Sequence, residues 1–202
     1  MSTEADDEGD YDEFFSGLLA PRPPLVEERN HPNHWFNRAS DLRASAGAVW
    51  LAMRGPDEAA QEHLGLADGF SMTIACTPVY YMLCGLALEL VMKARLVQLG
   101  HSSEKFDHGL EKLLDLLEVE ASDKERRLLR FYEGAMVWAG RYPLPRKPTE
   151  QKLRQFWDLA SNVLTDPVPE IKGLKVRRGN DASTWENFHG LWSKYAALFE
   201  HR

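Results

Sequence analysis

An apolar segment with two charges in its middle constrains this chain more than any other feature. The stretch GLALELVMKARLVQLG, from Gly85 to Gly100, is hydrophobic for most of its length, with Glu89 and Lys93 at its centre. A helix that is apolar on nearly all sides is surrounded by other helices or by lipid. Glu89 precedes Lys93 by four residues, which is the favourable order for an ion pair on a helix. The segment is therefore a membrane span, a buried central helix with an ion pair, or part of a functional site.

The flanking residues favour the buried helix over the membrane span. A membrane helix needs about 20 apolar residues, and Met72 to Met92 nearly qualifies by length. However, Pro78 interrupts the stretch, Glu89 lies near its end, and Lys93 and Arg95 follow at once. We therefore expect a soluble protein in which the Glu89–Lys93 pair fixes how neighbouring helices dock. Because buried ion pairs are weak evidence for stability, the pair can also mark a site.

The remaining segments read as amphipathic helices. Apolar residues recur every three or four positions from Trp35 to Met53, and Ser122 and Ser183 each begin a capping box. The fold class that follows is all-α: a single-domain bundle of about six helices around the apolar central helix. A polar loop is expected at about 166–183, with a short hairpin as an alternative in EIKGLKVRRG. The predicted helices cover residues 35–53, 77–99 (or from near Phe70 with a kink at Pro78), 108–119, 123–139, 150–164 and 184–202.

The net charge of -7 resides in an N-terminal tail. Seven acidic residues precede the first basic residue, Arg22, and the rest of the chain has 24 basic and 24 acidic side chains. Such a polar segment does not bury enough surface to offset the entropy of ordering it, so residues 1–30 are predicted to be disordered, with a docking or autoinhibitory arm as the alternative. The segment lacks the features of a signal peptide, which favours a cytoplasmic location.

Few of the sequence patterns that mark specific chemistry are present. Cys76 and Cys84 lie eight residues apart and suit small core positions. No zinc spacing, glycine-rich phosphate loop or nucleophile elbow is found, so we predict no metal and no cofactor.

The central helix and its successor resemble HEPN-like domains. The segment GLALELVMKARLVQLG is followed after a short loop by DHGLEKLL, and the family pattern has a small residue, then leucine-glutamate, lysine and glycine, and next a histidine that opens a helix. In many relatives Asp-Leu follows that histidine, whereas Gly109 and Leu110 follow it here. RYP at Arg141 to Pro143 is also similar to some members. The resemblance covers roughly residues 35–165.

The resemblance implies a compact bundle, often a homodimer, in bacterial stress, toxin–antitoxin or phage-defence systems. Active members are metal-independent ribonucleases that use an arginine, four to six residues, and then a histidine on a late helix. Arg95 and His101 have this spacing, but they lie at the end of the central helix, and loose motifs of this kind arise by chance. No histidine follows Arg141 at the required distance.

Arg141 and His108 are the candidate catalytic residues, since RNA cleavage without a metal needs a base and a cation near the phosphate. Glu89, Lys93 and Tyr142 are the candidate substrate-binding residues. For His108 the alternative is structural: it caps the third helix or bonds to Glu89 and Lys93.

The distribution of charge keeps RNA or a nucleotide among the expected partners. Residues 121–180 hold 13 basic and 7 acidic side chains, and a basic face can bind phosphates through counterion release. Two hypotheses follow. The chain is a non-catalytic HEPN-like module that acts as a partner or regulatory subunit, or it is a metal-independent ribonuclease or toxin. The absent late-helix dyad favours the first.

Overall fold

The structure is a computed structural model that describes residues 24–169 and 175–201. The chain divides into two compact units, Met1–Asn30 and His31–Arg202. The described part of the first unit contains helix α1, Leu25–Arg29. This helix lies within the tail predicted to be disordered, whereas the acidic residues 1–23 lie outside the described residues. Glu27 and Glu28 lie in the first turn of this helix and Arg29 lies in its last turn, positions that interact favourably with the helix dipole. The prediction of disorder rested on the number of acidic residues and not on their positions.

The second unit is an all-α bundle, in agreement with the prediction from the sequence. Its described residues contain seven α-helices and one small sheet. Helix α6 (Asp123–Gly134) continues directly into a π-helical turn, Ala135–Ala139. The helices are α2 (Pro32–Arg54), α3 (Asp57–Leu64), α4 (Met72–Gln98), α5 (Leu110–Leu116), α6 (Asp123–Gly134), α7 (Glu150–Leu164) and α8 (Trp185–Ala196).

Helix α4 is the central element of this bundle. Its second half is buried from Cys84 onward at most positions, including Leu88, Val91 and Met92, while Ile74 near its start is 77% exposed. Helix α4 begins at Met72, which confirms the earlier of the two predicted starts, and Pro78 lies inside it.

The alternative start required Thr77 to cap α4. Thr77 does not have this role. Its hydroxyl donates to the Thr73 carbonyl at 2.6 Å, one turn earlier on the same helix. Helix α4 is also long and apolar enough to cross a membrane by length and composition, although 39% of the apolar window is buried inside the protein.

Aromatic rings form the layer of the core beside α4. Tyr80, Tyr132 and Phe188 are fully buried, and Tyr81 meets Phe131 edge-to-face with ring centroids 5.0 Å apart. Aromatic pairs of this kind add about 0.5–1.5 kcal/mol beyond the area that they bury. The layer joins α4, α6 and α8, and of these α4 and the end of α6 lie at the site described below.

Helix α3 was missed by the sequence analysis. It begins after Pro56 and ends at Gly65, whose φ of 66° is left-handed. None of its residues is buried, so it has no apolar face from which to recognise it. His63 lies in its last turn.

Helix α8 begins one residue later than its predicted capping box. The N-cap is Thr184, which accepts from the Asn187 amide, because the Ser183 hydroxyl is engaged with the Tyr81 hydroxyl at 3.2 Å. The predicted N-cap at Ser122 is confirmed, because its side chain accepts from the Glu125 amide. The other half of the predicted capping box is not seen, since the Glu125 carboxylate binds Lys194 and Tyr195.

The predicted polar loop at 166–183 contains part of a two-stranded antiparallel sheet. Strand β1, Thr165–Pro167, pairs with β2, Arg177–Gly179, and Asp166 lies opposite Arg178. The first strand therefore precedes the segment suggested for a hairpin. Residues 170–174, the first half of that segment, lie outside the described residues.

Candidate functional site

The two charges of the apolar helix form a buried ion pair, as their spacing predicts. Glu89 is 2% exposed and Lys93 is 6% exposed. The Lys93 ammonium donates to Glu89 Oε1 and lies 5.8 Å from the centre of the Phe106 ring. Because both side chains are removed from water, each depends on the other for charge compensation.

His108 binds the same carboxylate oxygen from the protein surface. Its Nδ1 lies 3.0 Å from Glu89 Oε1, while 70% of the His108 side chain is exposed. An ionised carboxylate only accepts hydrogen bonds, so His108 donates through Nδ1. In the neutral form of the ring this arrangement leaves Nε2 as an acceptor, which a base or a ligand-binding imidazole requires.

His108 does not cap α5, one of the two structural roles considered for it. The Leu110 amide at the start of α5 donates to Glu133 Oε2 at 2.9 Å, and the Gly109 amide donates to Asp107 Oδ1 at 2.8 Å. Burial raises the pKa of the Glu133 carboxyl above its ordinary value, and the hydrogen bond from Leu110 opposes that rise. The hydrogen bond from Lys112 is the main cause that lowers the pKa of Asp107.

Arg141 reaches the site because of an irregular helix end. After the π-helical turn, the Arg141 amide donates to the Trp138 carbonyl at 2.9 Å. Its guanidinium then donates back to the Val137 carbonyl at 2.6 Å. Helix irregularities of this type occur frequently at functional sites.

Gly140 permits this turn to lie against α4. A Cβ at Gly140 would stand 2.6 Å from Met82 Cβ and 2.7 Å from the Pro78 carbonyl oxygen. Only a glycine allows such an approach, so the position of Arg141 depends on Gly140.

His108 and Arg141 line one small cavity. The cavity has a volume of about 120 Å³, and Leu86, Met136 and Val137 complete its wall. The two residues are 33 positions apart in the sequence, so the fold brings them together (141 − 108 = 33). Pockets that enclose small molecules are typically about 300–1,000 Å³, so this cavity suits a single polar group of a larger ligand.

The other candidate residues occupy different positions around this cavity. Tyr142 is 57% exposed, and the Arg141 guanidinium lies 5.4 Å from the centre of its ring. Glu89 and Lys93 lie behind His108 and are almost completely covered. They support the imidazole, whereas Arg141, His108 and Tyr142 are the groups open to a ligand.

Arg95 and His101 are part of the end of α4 and not of this site. Gly100 has a φ of 89°, and the amides of Gly100 and His101 donate to the carbonyls of Val97 and Leu96. This pattern is a Schellman motif, which ends the helix at the predicted glycine. The Arg95 guanidinium is bound to Gln98 and to Glu200, at the C-terminal end of the bundle.

Within the part of the chain that the structure describes, no group of three or more His, Cys, Asp and Glu side chains is placed to hold a metal ion. Cys84 is buried, and that burial raises the pKa of its thiol, which disfavours the reactive thiolate.

The sequence analysis did not find Glu133, Leu86 or Met136. The contact between Glu133 and the start of α5 spans 23 residues, and no local pattern encodes it. Comparison of the chain with protein-family models, with curated proteins and with solved structures found no match.

Proposed function

We propose that this protein is a non-catalytic, HEPN-like helical module that associates with the phosphate groups of RNA or of a nucleotide through Arg141 and His108. The observation that carries the proposal is the cavity shared by these two side chains, with His108 oriented by the buried Glu89 carboxylate. Arginine and imidazole are both suited to phosphate oxygens. Tyr142 offers an exposed ring on which a base can stack beside the phosphate.

Two features favour binding over catalysis. The His108 side chain is 70% exposed, so the site lacks the dry surroundings in which electrostatic stabilisation of a transition state is strongest. The Arg141 guanidinium already donates through Nη2 to the Val137 carbonyl, so this nitrogen is engaged within the protein.

A metal-independent ribonuclease is the second candidate. The contact between Glu89 and His108 Nδ1 favours it, because that contact leaves Nε2 free to take a proton from a ribose 2′-hydroxyl. Arg141 would then stabilise the charge on the phosphate.

The experiment is a titration of a fluorescently labelled single-stranded RNA oligomer into the intact chain at several salt concentrations. We expect Arg141→Ala to weaken binding and to reduce the slope of log K against log salt by about 0.7, the contribution of one phosphate contact in a single strand. His108→Ala should weaken binding too. His101→Ala is the matched control, because His101 is exposed but belongs to the end of α4.

The same samples, kept in EDTA and resolved on a gel, separate the two candidates. Intact RNA supports the binding module. Cleavage that His108→Ala abolishes and His101→Ala retains would favour the ribonuclease. The absence of binding, or equal loss of affinity in all three variants, would contradict the association with RNA at this cavity.

The resemblance also implies a homodimer or a protein partner, and we propose that the module acts as a partner or regulatory subunit. Exposed apolar side chains near the end of α2 and the start of α4, Leu51, Leu64, Phe70 and Ile74, are of the kind that association covers. Sedimentation of the intact chain over a concentration series tests this. A single species with the mass of one chain at every concentration would contradict the homodimer.

A further inference from the structure

A second and larger groove lies between α6 and α8, lined as well by the end of α7 and the turn that follows β2. Its volume is about 900 Å³, within the range of sites that bind a ligand of several groups. Four of its lining residues are apolar and at least half-buried: Leu128, Val163, Ala182 and Leu191. We refer to it as the α6–α8 groove. The His108–Arg141 cavity shares none of its lining residues.

Gly190 lies in the middle of α8 and faces this groove. A glycine inside a helix costs roughly 1 kcal/mol relative to alanine. A Cβ added at Gly190 would meet nothing within 4 Å, so packing within the described residues does not require a glycine here. Glycine is, however, the residue that lets a ligand approach the backbone closely. Because no side chain stands at this position, a ligand has room to lie directly over the backbone of α8.

The two sides of the groove carry opposite charges. Lys124 and Arg127 lie on α6, and among the described residues no carboxylate lies within ion-pair distance of either. Asp166, Asp181 and Glu186 belong to the opposite sides, formed by β1 and the start of α8.

One end of the groove is closed by a fixed internal pair. Lys194 binds Glu125 at 2.8 Å, and the Tyr195 hydroxyl donates to the same carboxylate at 2.5 Å. These two charges are therefore compensated within the protein. Among the described residues, the charged side chains of the two sides form no ion pair, and Asp166 accepts a hydrogen bond from the Asn180 side chain.

A polyanion does not suit this arrangement. Several phosphates in one groove would place like charges beside Asp166, Asp181 and Glu186, which disfavours RNA on electrostatic grounds. A ligand with charges of both signs meets an opposite charge on each side. Its apolar or backbone portion can then cover the apolar lining residues and Gly190.

We infer that the α6–α8 groove binds a short peptide segment of a partner protein, with an acidic side chain at Lys124 and Arg127 and a basic side chain at Asp181 and Glu186. The inference does not depend on phosphate binding at the other cavity.

The test uses the intact, ¹⁵N-labelled chain and a panel of short synthetic peptides. Each peptide holds one Glu and one Lys separated by a varied number of Ala and Leu residues. The control peptides carry Gln in place of one or both charged residues. We expect the amides of Gly190 and Asn187 to shift with the mixed-charge peptides, and each Gln replacement to weaken binding by about two- to fivefold, the usual value of an exposed ion pair.

Variants of the groove give a second measurement. Gly190→Leu adds a side chain on the groove side of α8, where its Cβ meets nothing within 4 Å, and should weaken binding by at least about tenfold. Ala197→Leu places the same side chain at the exposed end of α8, outside the groove, and should leave binding unchanged. Reversal of charge in Arg127→Glu should shift preference to peptides that place Lys at that end.

Three results would overturn the inference: no shift at Gly190 with any peptide, equal binding of charged and uncharged peptides, or shifts at Gly190 produced by a short RNA oligomer but not by the peptides. Melting curves of each variant establish that it is folded, and the Arg127→Glu result stands independently should Gly190→Leu fail to fold.

Discussion

One oxygen of the Glu89 carboxylate serves two partners, Lys93 from inside the bundle and His108 from its surface. We expect Glu89→Ala to lower the free energy of unfolding by roughly 3–5 kcal/mol, because Lys93 would remain buried without a countercharge. Urea denaturation measures the change. Glu150→Ala is the matched control, since Glu150 forms an exposed pair with Arg154, and such pairs contribute about 0–1 kcal/mol. Equal effects of the two substitutions would contradict the buried pair.

Glu133 gives the fold a dependence on pH. Burial raises the pKa of its carboxyl in the folded protein above the value in the unfolded chain. The folded state therefore binds the proton more tightly, and the contribution of this group to stability falls as pH rises through the raised pKa. Glu133→Gln keeps an acceptor for the Leu110 amide but does not ionise.

We therefore expect the melting temperature of Glu133→Gln to vary less with pH than that of the wild type as the pH rises above the ordinary Glu pKa of about 4.3. Glu150→Gln, at an exposed position, is the control. A wild type and a Glu133→Gln variant with parallel pH profiles would show that Glu133 is not the source.

Single contacts were predictable from the sequence where they are local. The spacing of Glu89 and Lys93 fixes their pairing on one helix, and the N-cap at Ser122 fixes a start. Contacts between distant segments were not predictable: Glu133 meets the start of α5, and the Tyr81 hydroxyl engages Ser183 so that Thr184 caps α8. These depend on how the helices pack.

The contact of the π-helical turn with α4 depends on one glycine. Gly140→Ala would bring a methyl group within 2.7 Å of the Pro78 carbonyl, so the two segments must move apart. We expect a loss of about 1–3 kcal/mol in stability, the usual cost of overpacking, and weaker RNA binding through Arg141. Gly190→Ala is the matched control, because its methyl group has open space and should stabilise α8 by up to about 1 kcal/mol.

Thermal unfolding of both variants measures the contrast. Equal stability of Gly140→Ala and the wild type would show that the turn can move away from α4 without destabilising the fold. The position of Arg141 would then not depend on Gly140.

Elements with a strong apolar face were predictable, and the others were not. Helices α2, α4, α6 and α7 lie close to their predicted spans, because the apolar residues in those segments recur with the helical period or form a long apolar run. Helix α3 has no buried residue, and β1 is three residues long, so neither carries a periodic signal. The π-helical turn reads as ordinary helix in the sequence, although it places Arg141 in the site.

The excess of basic over acidic side chains in residues 121–180 is reduced by ion pairs to acidic residues outside this segment. Arg126 and Arg130, both counted in the basic segment 121–180, pair with Asp115 and Glu111 outside that segment. The excess is therefore partly compensated in space. The seven acidic residues that precede Arg22 lie outside the described residues, and the role of the tail stays a prediction.

The burial of helix α4 bears on whether the whole molecule is soluble in water. Its second half is covered by the bundle, and the charges of Glu89 and Lys93 are paired inside the protein, which suits a water-soluble core helix. Its first half exposes Ile74, with 77% of that residue accessible. We expect the intact chain to remain in the supernatant after lysis without detergent and high-speed centrifugation.

Ile74→Asp tests whether the exposed start of α4 causes any attachment to membranes. A charge at this position would release a peripherally attached protein, but it would have no effect on a protein already soluble. We therefore expect wild type and Ile74→Asp in the same supernatant fraction. Recovery of the wild type only from the membrane fraction would show that α4 is inserted or attached, and the bundle would then open around Glu89 and Lys93 at the cost of exposing their charges to lipid.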